Sequence, residues 1–397
     1  LLLFRLIRSR PALSRTCAAL LAALMAASSP IARSQNAPAP SRSGSLPTLG
    51  DNLELTAGAE RRIGERIAVS IYRDRDYIDD PVLEEYVQGI WQPLMGAARS
   101  RGELSPELDE RFAWELFLLR DRTINAFALP GGYFGFHLGL IGTVSSRDEL
   151  AAVMGHELSH VTQRHISRLM TQQSRQTPWM IAAMIIGALA ASKGSQAGEA
   201  AMMGGQALAA QSQLNFSRDM EREADRIGFG VMADAGFDTR GVSSMFEKLQ
   251  QASRINDNGS FPYLRSHPLN TERIAEAQAR LQLAPPVADK ALGAAQARFL
   301  HAMMAARALV LADPGVDVLR TMVSEAQRPS PPGQAASQPT AADIRSAGVF
   351  YAGALAAARL RDFALARSFA ERLGTLAATT PSAGKVVLLS LEVDQMA

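Results

Sequence analysis

The sequence predicts a mainly α-helical protein with one small β-sheet, followed by an α-helical tail, and three observations carry that prediction. Apolar residues recur at helical spacing through most of residues 51–285. One stretch within them, residues 112–119 and 123–141, is instead rich in aromatic and β-branched residues and is interrupted by Pro130-Gly131-Gly132, which predicts short strands and a turn. Beyond residue 285 the composition becomes alanine-rich while the helical spacing persists. A chain of 397 residues, 47% of them apolar, has material for one substantial core and a smaller second unit.

Residues 1–34 carry five arginines and no acidic residue, then an apolar run over 17–27, then Ala32-Arg33-Ser34 as a cleavage tripeptide. This is the layout of an export signal peptide, and the apolar run is about half of what a spanning helix needs, with an uncleaved anchor as the alternative. Without those five arginines the formal charge falls from +2 to −3, so the basic character belongs to the leader and a nucleic-acid partner has no compositional support. Cys17, the only cysteine, lies in the leader; a metal site in the rest of the chain has only histidines and carboxylates to use.

Residues 35–50 are rich in Pro, Ser, Ala and Gly and read as a flexible linker. Residues 148–170 form one long helical pattern, with Ser145 and Ser146 as candidate caps and Asp148 and Glu149 in its first turn. An apolar stretch over 177–191 reads either as part of a buried or mobile helical hairpin or as a lid that touches membrane or covers substrate. Residues 217–236 form a second strong helix, closed by Gly236. In the tail, residues 286–397, a Pro/Ser/Gln linker over 329–339 separates helical segments, and residues 350–373 pair two helices around Arg361-Asp362.

The chemistry sits in His156-Glu157-Leu158-Ser159-His160. Residues four apart share a helix face, so both imidazoles meet one point, and Glu157 reaches a water at that point without being a ligand itself. The longer zinc motif needs glycine and histidine where this chain has Gln163 and Ile166, and is excluded. His165 lies five positions from His160 and points well away from the ligand face, as a surface or supporting residue. A third ligand is expected from the helix over 217–236, where Glu221 and Asp225 are four apart: Glu221 for the metal, Asp225 for the distal nitrogen of His156, with Glu223 facing away. Two histidines and one glutamate suit Zn2+ best.

Asn125-Ala126-Phe127-Ala128-Leu129-Pro130-Gly131-Gly132, Gly155-His156-Glu157-Leu158-Ser159-His160, Glu221-Arg222-Glu223-Ala224-Asp225 and Ser266-His267-Pro268 occur in this order. In that the chain resembles the gluzincin peptidase family of HtpX, the CAAX prenyl proteases and BepA-type periplasmic members. The resemblance covers residues 51–285 well and the tail loosely; it implies a zincin-type peptidase domain followed by tetratricopeptide-like helices. It implies His156, His160 and Glu221 as zinc ligands, one ion per chain, Glu157 as catalytic glutamate and Asp225 as an acidic partner. It also implies that Asn125, Ala126, Phe127, Ala128, Pro130, Gly131 and Gly132 shape a substrate-binding strand, the plain alternative being a turn. His267 becomes a candidate regulatory fourth ligand, against the alternative of a surface-loop histidine.

The expected function is a zinc metalloendopeptidase of the periplasm, with peripheral membrane contact through 177–191; the resemblance implies misfolded or misassembled envelope and outer-membrane proteins as its substrates and the assembly machinery as a partner of the tail. The alternative is a chaperone or adaptor with latent peptidase activity.

Overall fold

The computed structural model describes residues 55–172, 217–255, 262–283, 291–328 and 339–397. The expected leader and linker, the apolar stretch over 177–191 and most of the 329–339 linker lie outside the described residues. Residues 52–397 cluster as one compact unit.

Helix α1 (Ala57–Tyr72) starts at Thr56, whose side chain accepts from the Ala59 amide, and α2 (Pro81–Ser100) starts at Asp80, which accepts from Leu83, with Pro81 supplying a preset φ at the first position. After the short α3 (Pro106–Arg111) come strands β1 (Glu115–Leu119), β2 (Ala126–Leu129) and β3 (Tyr133–His137). The sheet order is β1-β3-β2, with β1 parallel and β2 antiparallel to β3, which leaves β2 at an edge. The β2–β3 turn holds Gly131 at φ 78° and Gly132 at φ 81°; a Cβ on Gly131 would lie 2.6 Å from the Arg61 Cα, so only glycine lets α1 pack against the turn.

The expected strand pattern ran to Ile141, but Leu138–Thr143 form helix α4. A short, wholly buried apolar run has no periodicity that separates strand from helix, which is why the sequence misled here.

Helix α5 (Arg147–Thr162) opens at Ser146, which accepts from the Glu149 amide, and packs on β2 and on α7 (Arg218–Asp234), itself capped by Ser217. The long helix expected over 148–170 is in fact two: Arg164 sits at φ 54°, and α6 (His165–Gln172) starts afresh after it. The Arg164 guanidinium holds the break by binding the buried Glu60 carboxylate and the Leu55 carbonyl.

Helix α8 (Arg240–Ile255), the short α9 (Tyr263–Ser266) and α10 (Thr271–Leu283) complete the surroundings of α5 and α7. The tail is α11 (Ala291–Leu311), α12 (Val316–Gln327), α13 (Ala341–Arg359), α14 (Phe363–Ala377) and α15 (Ala383–Met396). Asp362 caps α14 after Arg361 at φ 66°, which is the helix pairing that the sequence predicts there. One hydrophobic core joins Trp91, Phe134 and Met154 to Phe299, Tyr351 and Phe369 of the tail. Among the described residues no helix is long and apolar enough to cross a membrane.

Candidate metal centre

The site begins with two glycines. Gly155 in α5 and Gly228 in α7 face one another, and a Cβ on Gly228 would lie 3.0 Å from the Gly155 carbonyl and 3.1 Å from the His156 nitrogen. Backbone-to-backbone approach at this crossing brings the His156-to-His160 face of α5 against the Glu221-to-Asp225 face of α7.

There the ligand atoms of His156, His160, Glu221 and His267 all lie within 4.8 Å of one another, and all four residues are buried. The Nε2 atoms of His156 and His160 are 3.0 Å apart. Glu221 Oε1 is 3.3 Å from His160 Nε2, and Oε2 is 3.5 Å from His156 Nε2. His267 Nδ1 lies 3.0 Å from Glu221 Oε1 and 3.3 Å from His156 Nε2, while its Nε2 lies 3.4 Å from Glu157 Oε1. Only 2% exposed, and stacked on Tyr263 at 4.6 Å between ring centroids, His267 is not a surface-loop residue.

The outer nitrogens fix the inner ones. Asp225 Oδ1, which can only accept, is 3.0 Å from His156 Nδ1, so that nitrogen carries a proton and Nε2 is the nitrogen turned to the centre. His160 turns its Nδ1 to His165 Nδ1 at 2.9 Å, and His165 Nε2 in turn donates to Glu223 Oε2 at 3.0 Å, with Arg168 on the same oxygen. Glu223 thus faces away from the ligands, as its spacing predicts, and still supports them through His165. Arg273 closes the other side: it binds both oxygens of Asp225 at 2.6 and 2.8 Å, lies 2.7 Å from Glu221 Oε2, and donates to the Pro268 carbonyl beside His267.

This donor set fits a divalent metal ion. The Nε2 atoms of His156 and His160, 3.0 Å apart, face one point, and the contact needs either a proton or a cation shared between the two nitrogens. Glu157 is wholly buried, and neither of its carboxylate oxygens has a hydrogen-bond partner; such a group needs a solvent molecule or a positive charge beside it. Burial works against charge on His156, yet hydrogen bonds to Asp225 and Glu221 outweigh it and raise the imidazole to about 10. Burial pushes His160 far below the usual histidine range, and takes His165 to about 4 against the pull of Glu223. Glu221 is held far below the ordinary carboxylate range: its burial is overcome by His267, His156 and His160. Glu221 and Asp225 thus favour positive charge on the groups beside them.

Around the edge strand, Asn125 is buried, with its Nδ2 3.5 Å from His137 Nε2, and Ala126 is buried against β3. The Phe127 ring covers Gly135, and Ala128 is half-buried. The Pro130 carbonyl packs on Gly64, while Gly131 and Gly132 meet Arg61, Phe112 and the backbone of Ala113 and Trp114. The described contacts of the last three are those of a packed turn.

Two residues that the sequence did not assign to the site therefore belong to it, Arg273 and Tyr263, and the break at Arg164 makes the buried His165 the supporting residue of its two readings rather than the surface one. Their only signal in the sequence is nearness to a motif. Arg273 follows His267 by six positions and Tyr263 precedes it by four.

Comparison with known proteins agrees with this geometry. The chain is 36% identical over 244 residues to a Vibrio cholerae protein described as a beta-barrel assembly-enhancing protease, covering 61% of this chain and 48% of that one. It is 32% identical, with the same coverage, to the beta-barrel assembly-enhancing protease of Escherichia coli K12. It is 30% identical over 165 residues to the mitochondrial metalloendopeptidase OMA1 of Arabidopsis thaliana, covering 41% of this chain and 31% of that one. The chain thus spans about half the length of the bacterial relatives that it matches. Residues 84–281, from the end of the first turn of α2 into the last turn of α10, match peptidase family M48, so this chain carries an M48 metallopeptidase domain with the site at its heart.

Proposed function

We propose that the protein is a zinc metalloendopeptidase of the bacterial periplasm, which cleaves misassembled outer-membrane proteins and engages them, and the machinery that assembles them, through its tetratricopeptide-like tail. The observation that carries the reading is the convergence of His156, His160 and Glu221 beside a buried Glu157 whose oxygens make no hydrogen bond. The names of the bacterial relatives support the choice of substrate, and the leader read from the sequence supports the compartment.

Zinc held by His156, His160 and Glu221 would polarise a scissile carbonyl and acidify a water molecule. The protein supplies the rest. Glu157 takes the proton of the attacking water and returns it to the departing amine, so the amide C–N bond breaks without a covalent enzyme intermediate. Asp225 fixes the tautomer and orientation of His156, and Arg273 keeps Asp225 and Glu221 ionised and aimed. The edge of β2, beside α5, offers main-chain groups to which an extended peptide can add as a strand.

Casein hydrolysis by the purified protein tests the reading. Chelation is expected to abolish hydrolysis, and zinc to restore it; hydrolysis that survives chelation, with the metal shown to be gone, would sink it. In the same assay His267 is expected to act as a latch, because its ring shares the centre with His156, His160 and Glu221 and lies against Glu157. If the open form is a minor state, at roughly a tenth of the population or less, His267→Ala raises the hydrolysis rate about tenfold or more. An unchanged or lower rate, with zinc content intact, would show that His267 is not inhibitory.

A further inference from the structure

We propose that His165 is a positioning residue for the metal, working with Glu223 as a relay that holds His160 in its ligating tautomer; the inference rests on the metallopeptidase reading above.

The two ligand histidines of α5 are supported in different ways. His156 Nδ1 meets a carboxylate directly, at 3.0 Å from Asp225. His160 Nδ1 meets another imidazole, at 2.9 Å from His165 Nδ1. Two imidazole nitrogens at that distance share one proton between them: one donates and the other accepts. If His160 gives its Nε2 lone pair to a metal, its proton stands on Nδ1 and His165 Nδ1 must accept it. His165 then carries its own proton on Nε2, where Glu223 Oε2, at 3.0 Å, accepts it. Arg168 at 2.7 Å from the same oxygen fixes Glu223. The proton assignments along His160, His165 and Glu223 are therefore mutually determined. His165 is wholly buried, while the Glu223 and Arg168 side chains are 31% and 40% exposed, so the relay runs from the ligand to the protein surface.

The backbone is built for this contact. On an unbroken helix His165 would lie well round from His160. The left-handed Arg164, tied to Glu60 and Leu55, ends α5 and folds His165 back over His160, with their ring centroids 4.9 Å apart. A donor that needs only bulk beneath it requires no such break, and His165 presents the acceptor that the ligand tautomer needs.

The test is zinc affinity of the full chain, measured by competition with a chromophoric chelator, with the apo-protein melting temperature read in parallel. His165→Phe keeps a ring but removes the acceptor, and is expected to bind zinc about 10- to 100-fold more weakly than wild type. His165→Asn places an amide oxygen where Nδ1 stood, and is expected to recover most of that affinity. Glu223→Gln, on a partly exposed side chain, is expected to lose affinity by a smaller factor, about threefold to tenfold. The proposal is overturned if folded His165→Phe binds zinc like wild type, or if His165→Asn is as weak as His165→Phe, since packing would then account for the loss. Should His165→Phe not fold, a wild-type affinity in Glu223→Gln overturns it. These readings need no turnover, so a zinc-loaded wild type that fails to cleave casein sinks the peptidase reading and leaves the relay standing. A wild type that takes up no zinc sinks both.

Discussion

Glu157→Gln is expected to retain zinc and fold while lowering casein turnover by a factor of about 10²–10⁴, the range over which a positioned general base contributes. The side chain is wholly buried and makes no hydrogen bond, with only His267 Nε2, 3.4 Å away, beside one oxygen, so a glutamine of the same shape breaks no hydrogen bond and removes a buried charge. Stability should therefore hold or rise slightly, which is unusual for a change at the centre of a core. Only the ability to take and return a proton is lost. Three measurements on one preparation separate the outcomes: metal content, melting temperature and hydrolysis rate. A variant that keeps its zinc and hydrolyses casein at the wild-type rate would remove Glu157 from the mechanism. A hydrolytically dead variant that still supports assembly of outer-membrane proteins would instead shift the function towards binding, with the peptidase activity latent.

How much of this centre is legible in the sequence depends on whether helix periodicity alone sets the geometry. His156 with His160, and Glu221 with Asp225, are four apart on helices whose caps, Ser146 and Ser217, can be read from the chain, so each pair shares a face by local rules. The distance between the two faces is another matter. It is set by the crossing at Gly155 and Gly228, and single glycines inside helical patterns say only that something comes close, not what. His165 shows the limit most sharply. Periodicity assigned it to the far side of the helix, and one left-handed residue, an arginine with no turn propensity to announce it, put it on the ligand. Arg273 is illegible for a further reason. Its partners Asp225 and Glu221 are about fifty positions away, and a buried guanidinium among carboxylates looks, in sequence, like any arginine at the start of a helix.

The tail has its own buried ion cluster, and Arg307→Leu is expected to destabilise the whole described fold by about 3–5 kcal/mol, because removing one partner leaves the other charge buried and unpaired. Arg307 in α11 binds both oxygens of Asp80, the residue that caps α2, and reaches the Tyr351 hydroxyl at 3.2 Å in α13 and Glu392 at 2.6 Å in α15. Burial works against its charge, but Asp80, Tyr351 and Glu392 more than offset this and hold the guanidinium protonated. Nearby, the Val144 carbonyl accepts from His301 Nε2, which leaves His301 Nδ1 to accept from the Tyr86 hydroxyl at 2.6 Å, a second tie between α11 and α2. With these links and one continuous core, the tail and the M48 domain should melt in a single transition, shifted down by on the order of 10 °C in Arg307→Leu. Adding Asp80→Asn, which keeps the cap of α2 while removing the orphaned charge, should restore part of the loss. Two separate transitions, with the zinc-stabilised one unmoved by Arg307→Leu, would mean that the tail unfolds on its own. A cooperative transition would mean that a load taken up by the tail helices is felt at α2, against which the motif helix α5 packs.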